Sequence, residues 1–88
     1  MTVLRLDPEA VVWQDIDGEL VAIDLSTSEY LALNAAAAVA WPLLVRGATI
    51  DQLVDELCGR YDVNEDRARA DMTEFVTTLR QRRLVTEV

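Results

Sequence analysis

The chain has 88 residues, 51% of them hydrophobic and 27% charged, which is the composition of one small globular domain spanning 1–88. Sixteen acids against eight arginines give a net charge of −8, which disfavours nucleic acid because phosphate would be repelled, and favours a basic peptide or protein partner. The start does not resemble a signal peptide and no apolar run approaches roughly 18 residues, so we expect a cytoplasmic protein without membrane contact.

Two β-strands joined by a tight turn are predicted first. After Pro8, two runs rich in Val, Ile and Trp flank Asp17-Gly18, a pair typical of a type I′ turn, in which both central residues have φ > 0. One face of the second run comprises Val21, Ile23 and Leu25. The other face comprises Leu20, Ala22 and Asp24. Because the first face is wholly apolar, we expect it to face the core.

A third strand is predicted in EYLALN, residues 29–34, after a polar turn at 26–28. The three strands form an antiparallel meander in chain order, so the third strand lies at an edge of the sheet. Natural edges usually carry charge, proline or a bulge that prevents unwanted pairing. The third strand has only Glu29 at its start, which leaves Tyr30 to Leu33 unguarded.

Three helices follow the predicted sheet. Asn34 is a good N-cap for the first, over Ala35–Val45, where Pro42 predicts a kink or an early end. The second opens with Thr49 and Gln52 in capping-box spacing. Its apolar positions recur with helical spacing at Ile50, Leu53, Val54, Leu57 and Tyr61.

The third helix begins near Asn64 and ends in an arginine-rich turn, as the helix dipole favours. Its apolar stripe comprises Ala68, Met72, Phe75 and Leu79, widened by Val76. Leu84-Val85 is compatible with a last short strand. The elements together predict an α+β fold, a winged-helix-like arrangement of a three-stranded antiparallel sheet at 1–34 followed by three helices at 35–88.

Catalytic chemistry lacks its usual parts in this chain. There is no histidine, no glycine-rich phosphate loop and a single cysteine, Cys58, which falls on the apolar side of a helix and is interpreted as core. We therefore expect a protein that is not an enzyme and binds no metal or cofactor. A winged-helix DNA-binding regulator is the alternative, but Glu65 and Asp66 would stand at the helix end commonly brought to DNA.

The unguarded strand and the third helix together predict a peptide-binding groove. If they pack side by side, a disordered peptide could add itself as a fourth strand, with main-chain hydrogen bonds giving affinity and side-chain pockets giving specificity. The same side chains could instead fill the core. The residue pattern favours the core for Phe75 and Leu79, and leaves both roles open for Tyr30, Leu31 and Val76.

In order and spacing, these features resemble the PqqD-like RiPP recognition elements, small domains that bind the leader segment of ribosomally made precursor peptides. The resemblance is carried by Pro8, Asp17-Gly18, SEYLALN, the helix ending in VAW, TIDQLVDELCGRYDV, the run Ala68, Asp71, Met72, Phe75 and Leu79, and the closing LV. The chain departs from the family pattern at Arg83, where a glycine commonly closes the third helix, and at Pro42.

The resemblance implies a leader peptide lying antiparallel along the third strand and packing against the third helix. The strand wall would comprise Glu29, Tyr30, Leu31, Ala32 and Leu33. The helix wall would comprise Arg67, Asp71, Met72, Phe75 and Val76. Asp71 could equally form an i, i+4 ion pair with Arg67.

A free-standing domain of this length looks most like the recognition protein of lasso-peptide pathways, which hands the precursor to a leader peptidase and an ATP-dependent cyclase. A carrier of another precursor, such as that of pyrroloquinoline quinone, is the alternative within the family.

Overall fold

A computed structural model describes residues 2–88, so Met1 of the predicted domain lies outside the described residues. In chain order the elements are β1 (Leu4–Leu6), β2 (Val11–Ile16), β3 (Glu19–Asp24), β4 (Glu29–Leu31), α1 (Ala35–Arg46), α2 (Ile50–Arg60), α3 (Glu65–Gln81) and β5 (Val85–Glu87). The predicted α+β class is confirmed. Across residues 2–88, none of the helices has the length and apolar character needed to cross a membrane.

The predicted meander is present as an antiparallel sheet in the order β2-β3-β4. Asp17 and Gly18 both have positive φ, 54° and 84°, as a type I′ turn requires, and Ile16 pairs with Glu19 across the turn. The hairpin prediction is therefore confirmed. The predicted third strand is shorter than expected, because β4 ends at Leu31 and residues 32–34 lead directly into α1.

A second sheet, which the sequence pattern does not predict, joins the two ends of the described chain. β1 pairs antiparallel with β5, and Leu4 also bridges to Ala48 beyond the end of α1. Leu4 and Leu6 are buried. Three residues are too few for alternation to stand out in a sequence, so β1 is recognisable only through its partner; the expected last strand is confirmed as β5.

The prediction of which β3 face is buried is wrong. Ala22 and Asp24 are 0% and 1% exposed, whereas Val21 and Ile23 are only partly buried. The physical reason is that the Asp24 carboxylate is hydrogen-bonded, so its burial does not leave a charge unpaired. Small Ala22 meanwhile occupies the fully buried centre of this face.

The predicted caps hold the helices as expected. Asn34 and Asn64 accept backbone hydrogen bonds at the starts of α1 and α3, and Thr49 forms a complete capping box with Gln52. Of the kink or early end predicted at Pro42, the early end is wrong, because α1 continues to Arg46. Pro42 removes the donor for the carbonyl of Ala38, but both residues are exposed, so water can satisfy that carbonyl.

Trp41 on α1 connects the two layers of the fold. It is 1% exposed, meets Trp13 of β2 edge to face at a ring-centroid distance of 5.9 Å, and lies 6.4 Å from the ring of Phe75 on α3. The structure places Trp13 on the inner face of the sheet, in contact with Trp41 and 37% exposed at its outer part.

Candidate functional site

A groove runs between the free edge of β4 and one face of α3, and it encloses about 340 Å³. Its strand side comprises Tyr30, Leu31, Ala32, Leu33 and Asn34. Its helix side comprises Asp71, Glu74, Phe75, Thr78, Leu79 and Arg82. The groove therefore combines an open strand edge, an apolar floor and a charged rim, which are the parts needed to hold an extended peptide.

The hydrogen-bonding direction of β4 follows from the register of the meander. Leu25 donates its N–H to Ala10 at 2.9 Å, so Ile23, two residues earlier, also directs its backbone groups toward β2. Ala22 and Asp24 have the opposite parity and direct theirs toward their partners on β4, Leu31 and Glu29.

Tyr30, between those two β4 residues, consequently directs its N–H and C=O away from the sheet and into the groove. Its side chain lies on the face of the sheet that is turned away from the core, and it is 73% exposed. A strand added at this edge would pair with the Tyr30 backbone and have the tyrosine ring as a cross-strand neighbour.

The helix side of the groove is a single stripe of α3. Asp71, Phe75, Thr78 and Arg82 are spaced i, i+4, i+7 and i+11, which places them on one helix face. Phe75 is partly buried and packs against Trp41, so it forms the floor, whereas Glu74 and Thr78 are exposed at the rim. The groove thus offers an aromatic floor continuous with the core.

Arg82 fastens the sheet to the end of α3. Its guanidinium lies 3.2 Å from a carboxylate oxygen of buried Asp24 and 3.6 Å from Glu29. The Ser26 hydroxyl donates to Asp24 at 2.7 Å and holds the pKa of that carboxyl below its usual value, with further lowering by Arg82 and an opposing effect of burial. Since both acids belong to the meander, this cluster fixes the position of β4 relative to α3.

Six of the ten predicted site residues line the groove, namely Tyr30, Leu31, Ala32, Leu33, Asp71 and Phe75. Met72 and Val76 are 0% and 2% exposed and lie in the core behind the groove. Glu29 lies at one end, paired with Arg82. Arg67 is exposed one turn before Asp71 and pairs with it at 3.4 Å. The i, i+4 ion pair that was the alternative role of Asp71 is therefore present.

Five residues that line the groove are absent from the predicted set, namely Asn34, Glu74, Thr78, Leu79 and Arg82. Helical periodicity starting from Asp71 would have found Glu74, Thr78 and Arg82, since they lie about one, two and three turns later on that face. The prediction instead included Met72 and Val76. Each follows a groove residue by one position, which turns the helix by about 100°, so both side chains lie on the core-facing side.

The described residues show no set of groups arranged for metal chemistry. Among residues 2–88, no three His, Cys, Asp or Glu side chains converge as a metal site. Cys58 is partly buried against the core. The groove offers a ligand backbone pairing, apolar contact and charge.

Comparison with known proteins relates the chain to a family and to two solved complexes. Residues 19–85 match the family described as coenzyme PQQ synthesis protein D (PqqD). The structure described as "TbiB1 in Complex with the TbiA(beta) Leader Peptide" is 31% identical, with a TM-score of 0.79 and coverage of 92% of this chain and 93% of that one. "Lasso peptide synthetase B1 complexed with the leader peptide" is 26% identical, with a TM-score of 0.78 and coverage of 94% and 96%. No curated protein matches.

Proposed function

The chain belongs to the PqqD-like family of RiPP recognition elements, and from that membership we propose that it binds the leader segment of a ribosomally made precursor peptide without acting on it chemically. The observation that carries the proposal is the groove, in which an unpaired strand edge faces an aromatic floor. Two solved structures with the same fold hold leader peptides, which supports the same class of ligand here.

Binding proceeds by strand addition at β4. The leader lies antiparallel to β4, takes main-chain hydrogen bonds from Tyr30 and Ala32, and directs alternate side chains inward over Leu31, Leu33 and Phe75. Each such hydrogen bond contributes about 1 kcal/mol, so the apolar side chains on the floor supply much of the affinity.

The proposed contact set extends the one predicted from sequence. The strand wall is Glu29 to Leu33, and the helix wall is Arg67, Asp71 and Phe75, joined by the rim residues Glu74, Thr78 and Arg82. Met72 and Val76 contribute indirectly, because they lie in the core and hold the groove-facing side of α3 in place.

The precursor then passes to processing enzymes. In the lasso-peptide setting that the two neighbours support, these are a leader peptidase and an ATP-dependent cyclase. The family description instead favours a precursor of the pyrroloquinoline quinone type. Neighbouring genes separate the two: a transglutaminase-like peptidase with an asparagine-synthetase-like enzyme indicates the lasso pathway, and a radical-SAM enzyme indicates the other.

A fluorescent synthetic leader titrated with the purified chain tests the binding proposal. We expect saturable binding with a Kd between nanomolar and low micromolar, roughly −8 to −12 kcal/mol. Thr78→Trp places a bulky ring in the groove from an exposed rim position and should abolish binding.

Thr77→Trp is the matched control, because Thr77 is exposed on the same helix but does not line the groove. Absence of saturation up to about 100 μM, with the chain folded by circular dichroism, would contradict the proposal. Equal binding by both tryptophan variants would show that the leader binds elsewhere.

A further inference from the structure

Tyr30 borders two cavities, one on each side of the sheet edge. It lines the groove, and it also lines a shallow pocket of about 280 Å³ on the sheet face turned away from the core, here called the outer sheet face. The other residues of that pocket belong to β2 and β3, among them Val12 and Ile23. Tyr30 is the one residue that lines both cavities, so a strand bound at this edge would meet it from the groove and from the outer sheet face.

Tyr30 ends a row of apolar side chains that crosses the outer sheet face. Val12 pairs with Ile23, and Ile23 pairs with Tyr30. Ile23 directs its backbone toward β2 and Tyr30 directs its own toward the free edge, so these two form a non-hydrogen-bonded pair, in which cross-strand side chains approach most closely. No described strand lies on the other side of Tyr30, and its side chain is 73% exposed. The row is therefore incomplete at the edge where a ligand strand would be added.

The surroundings of the Tyr30 ring are apolar. The β3 positions nearest to it on the outer sheet face are Val21 and Ile23, and the next residue of its own segment with the same parity is Ala32. The acid of this face on β3, Glu19, is four residues from Ile23, which is about 13 Å along the strand. A ligand side chain beside Tyr30 therefore meets an aromatic ring and aliphatic neighbours rather than a charge.

The two faces of an added strand meet different chemistry. In an antiparallel pair, the residue directly opposite Tyr30 has its side chain on the same face as the tyrosine ring. The residues before and after it direct their side chains inward, toward Phe75 and the charged rim of the groove. Recognition from the groove thus reads every second residue of the ligand, and the residue between two of these lies beside Tyr30.

We infer that Tyr30 is a specificity-determining residue, which selects an aromatic or β-branched side chain at the leader position directly opposite it. The inference rests on the proposed function, since it adds a second point of sequence recognition to the same bound strand. The selected side chain completes the row of Val12, Ile23 and Tyr30 as its fourth member. The leader should consequently carry three consecutive apolar residues here, where a strand read from one face alone would alternate apolar and polar residues.

A double-mutant cycle between the chain and the leader tests the inference. The probe is the fluorescent synthetic leader of the precursor encoded beside this chain, made as a series in which each residue in turn is replaced by threonine, a residue that favours strands. Each peptide is titrated with purified wild type and with Tyr30→Thr. At one leader position, the threonine substitution should weaken binding to wild type by about three- to fivefold, yet change binding to Tyr30→Thr by less than about 1.5-fold.

Two further variants separate the contact of the ring from other effects. Tyr30→Phe keeps the aromatic ring and should give the wild-type profile across the series. Ile16→Thr is the matched control, because Ile16 is 50% exposed on the same face but lies on β2, two strands away from the edge. It should also give the wild-type profile.

The outcomes distinguish the inference from the proposed function. Threonine costs that are equal in wild type and Tyr30→Thr at every leader position overturn the inference, even if Tyr30→Thr binds the whole series more weakly, because the side chain would then only support β4. A coupled position that carries a charged residue overturns it too, as does loss of the coupling in Tyr30→Phe. In each of these cases, saturable binding by wild type leaves the proposed function standing, whereas absence of saturable binding overturns both.

Discussion

Asp24 places a carboxylate inside the molecule at a point where the sheet meets α3. The Ser26 hydroxyl and the Arg82 guanidinium hydrogen-bond it, and Arg82 also reaches Glu29 at the start of β4. Removing one partner of a buried charge leaves the other uncompensated, so Asp24 and Arg82 are expected to act as a unit. The position of the groove thus depends on a charge pair outside its apolar floor.

Asp24 makes the free energy of unfolding depend on pH in the acidic range. Because its pKa is lower in the folded chain than the ordinary 3.8, its stabilising contribution is complete above that value and is lost as the pH falls through the lowered pKa. Asp24→Asn should lower the free energy of unfolding at neutral pH and flatten its decline below pH 3.8, measured by urea denaturation. Asp55→Asn, on an exposed position of α2, should leave the decline unchanged; a parallel decline in wild type and Asp24→Asn would contradict this account.

The strand β4 is short because the chain turns so soon into α1. Asn34 caps α1 and accepts the N–H of Ala37, so only Ala32 and Leu33 separate the last ladder residue from the cap. The strand side of the groove therefore comprises two residues of β4 and the three residues that lead into α1. An added strand would complete the hydrogen bonding of this segment, which the domain itself leaves open on one side.

Proline at position 32 tests the open edge. Ala32→Pro removes an N–H that shares the parity of Tyr30, so leader affinity should fall by about tenfold while the free energy of unfolding changes by less than about 0.5 kcal/mol. Fluorescence titration and urea denaturation measure the two effects. Ala35→Pro is the control, since the first position of a helix tolerates proline and should leave both quantities near wild type. Equal loss of affinity and stability would mean that this edge is not free.

Local signals in the sequence predicted the elements well, and long-range pairing explains what they missed. Asp17-Gly18, Asn34, the Thr49 to Gln52 box and Asn64 each depend on a few neighbouring residues, and each is confirmed. β1 could not be predicted, because it pairs with a strand about 80 residues away.

The candidate site was predictable to a similar extent. The unguarded strand identified one wall, but choosing between the two faces of β3 required knowing that Arg82 would reach Asp24. The same contact explains why Arg82 itself was missed. Met72 and Val76 were assigned to the groove by the family resemblance, and amphipathic spacing could not correct that assignment, because it marks the apolar face of α3 without separating core from cleft.

The whole molecule carries its negative charge mainly on the meander. Arg82 is paired with Asp24. Among the other charged side chains around the groove, the acids Glu29, Asp71 and Glu74 outnumber the arginines, so the net charge there is negative. A leader with net positive charge would therefore be attracted before contact, which raises its association rate more than it slows dissociation.

Salt dependence tests this long-range attraction. For a leader of net positive charge, stopped-flow association should slow by about tenfold or more between about 0.01 M and 1 M salt, where the Debye length falls from roughly 30 Å to 3 Å, with little change in the dissociation rate. Glu74→Gln should reduce that slope, and Glu56→Gln on α2 should not. An association rate indifferent to salt would show that apolar contact alone drives the encounter.

The contact of Trp13, Trp41 and Phe75 gives the protein a built-in optical signal. The three rings connect the hairpin, α1 and the floor of the groove, and they contain both tryptophans of the chain. A peptide in the groove changes the surroundings of Phe75, and displacement of the hairpin changes those of Trp13. The intrinsic tryptophan fluorescence of the unlabelled chain can therefore report both ligand binding in the groove and movement of the sheet.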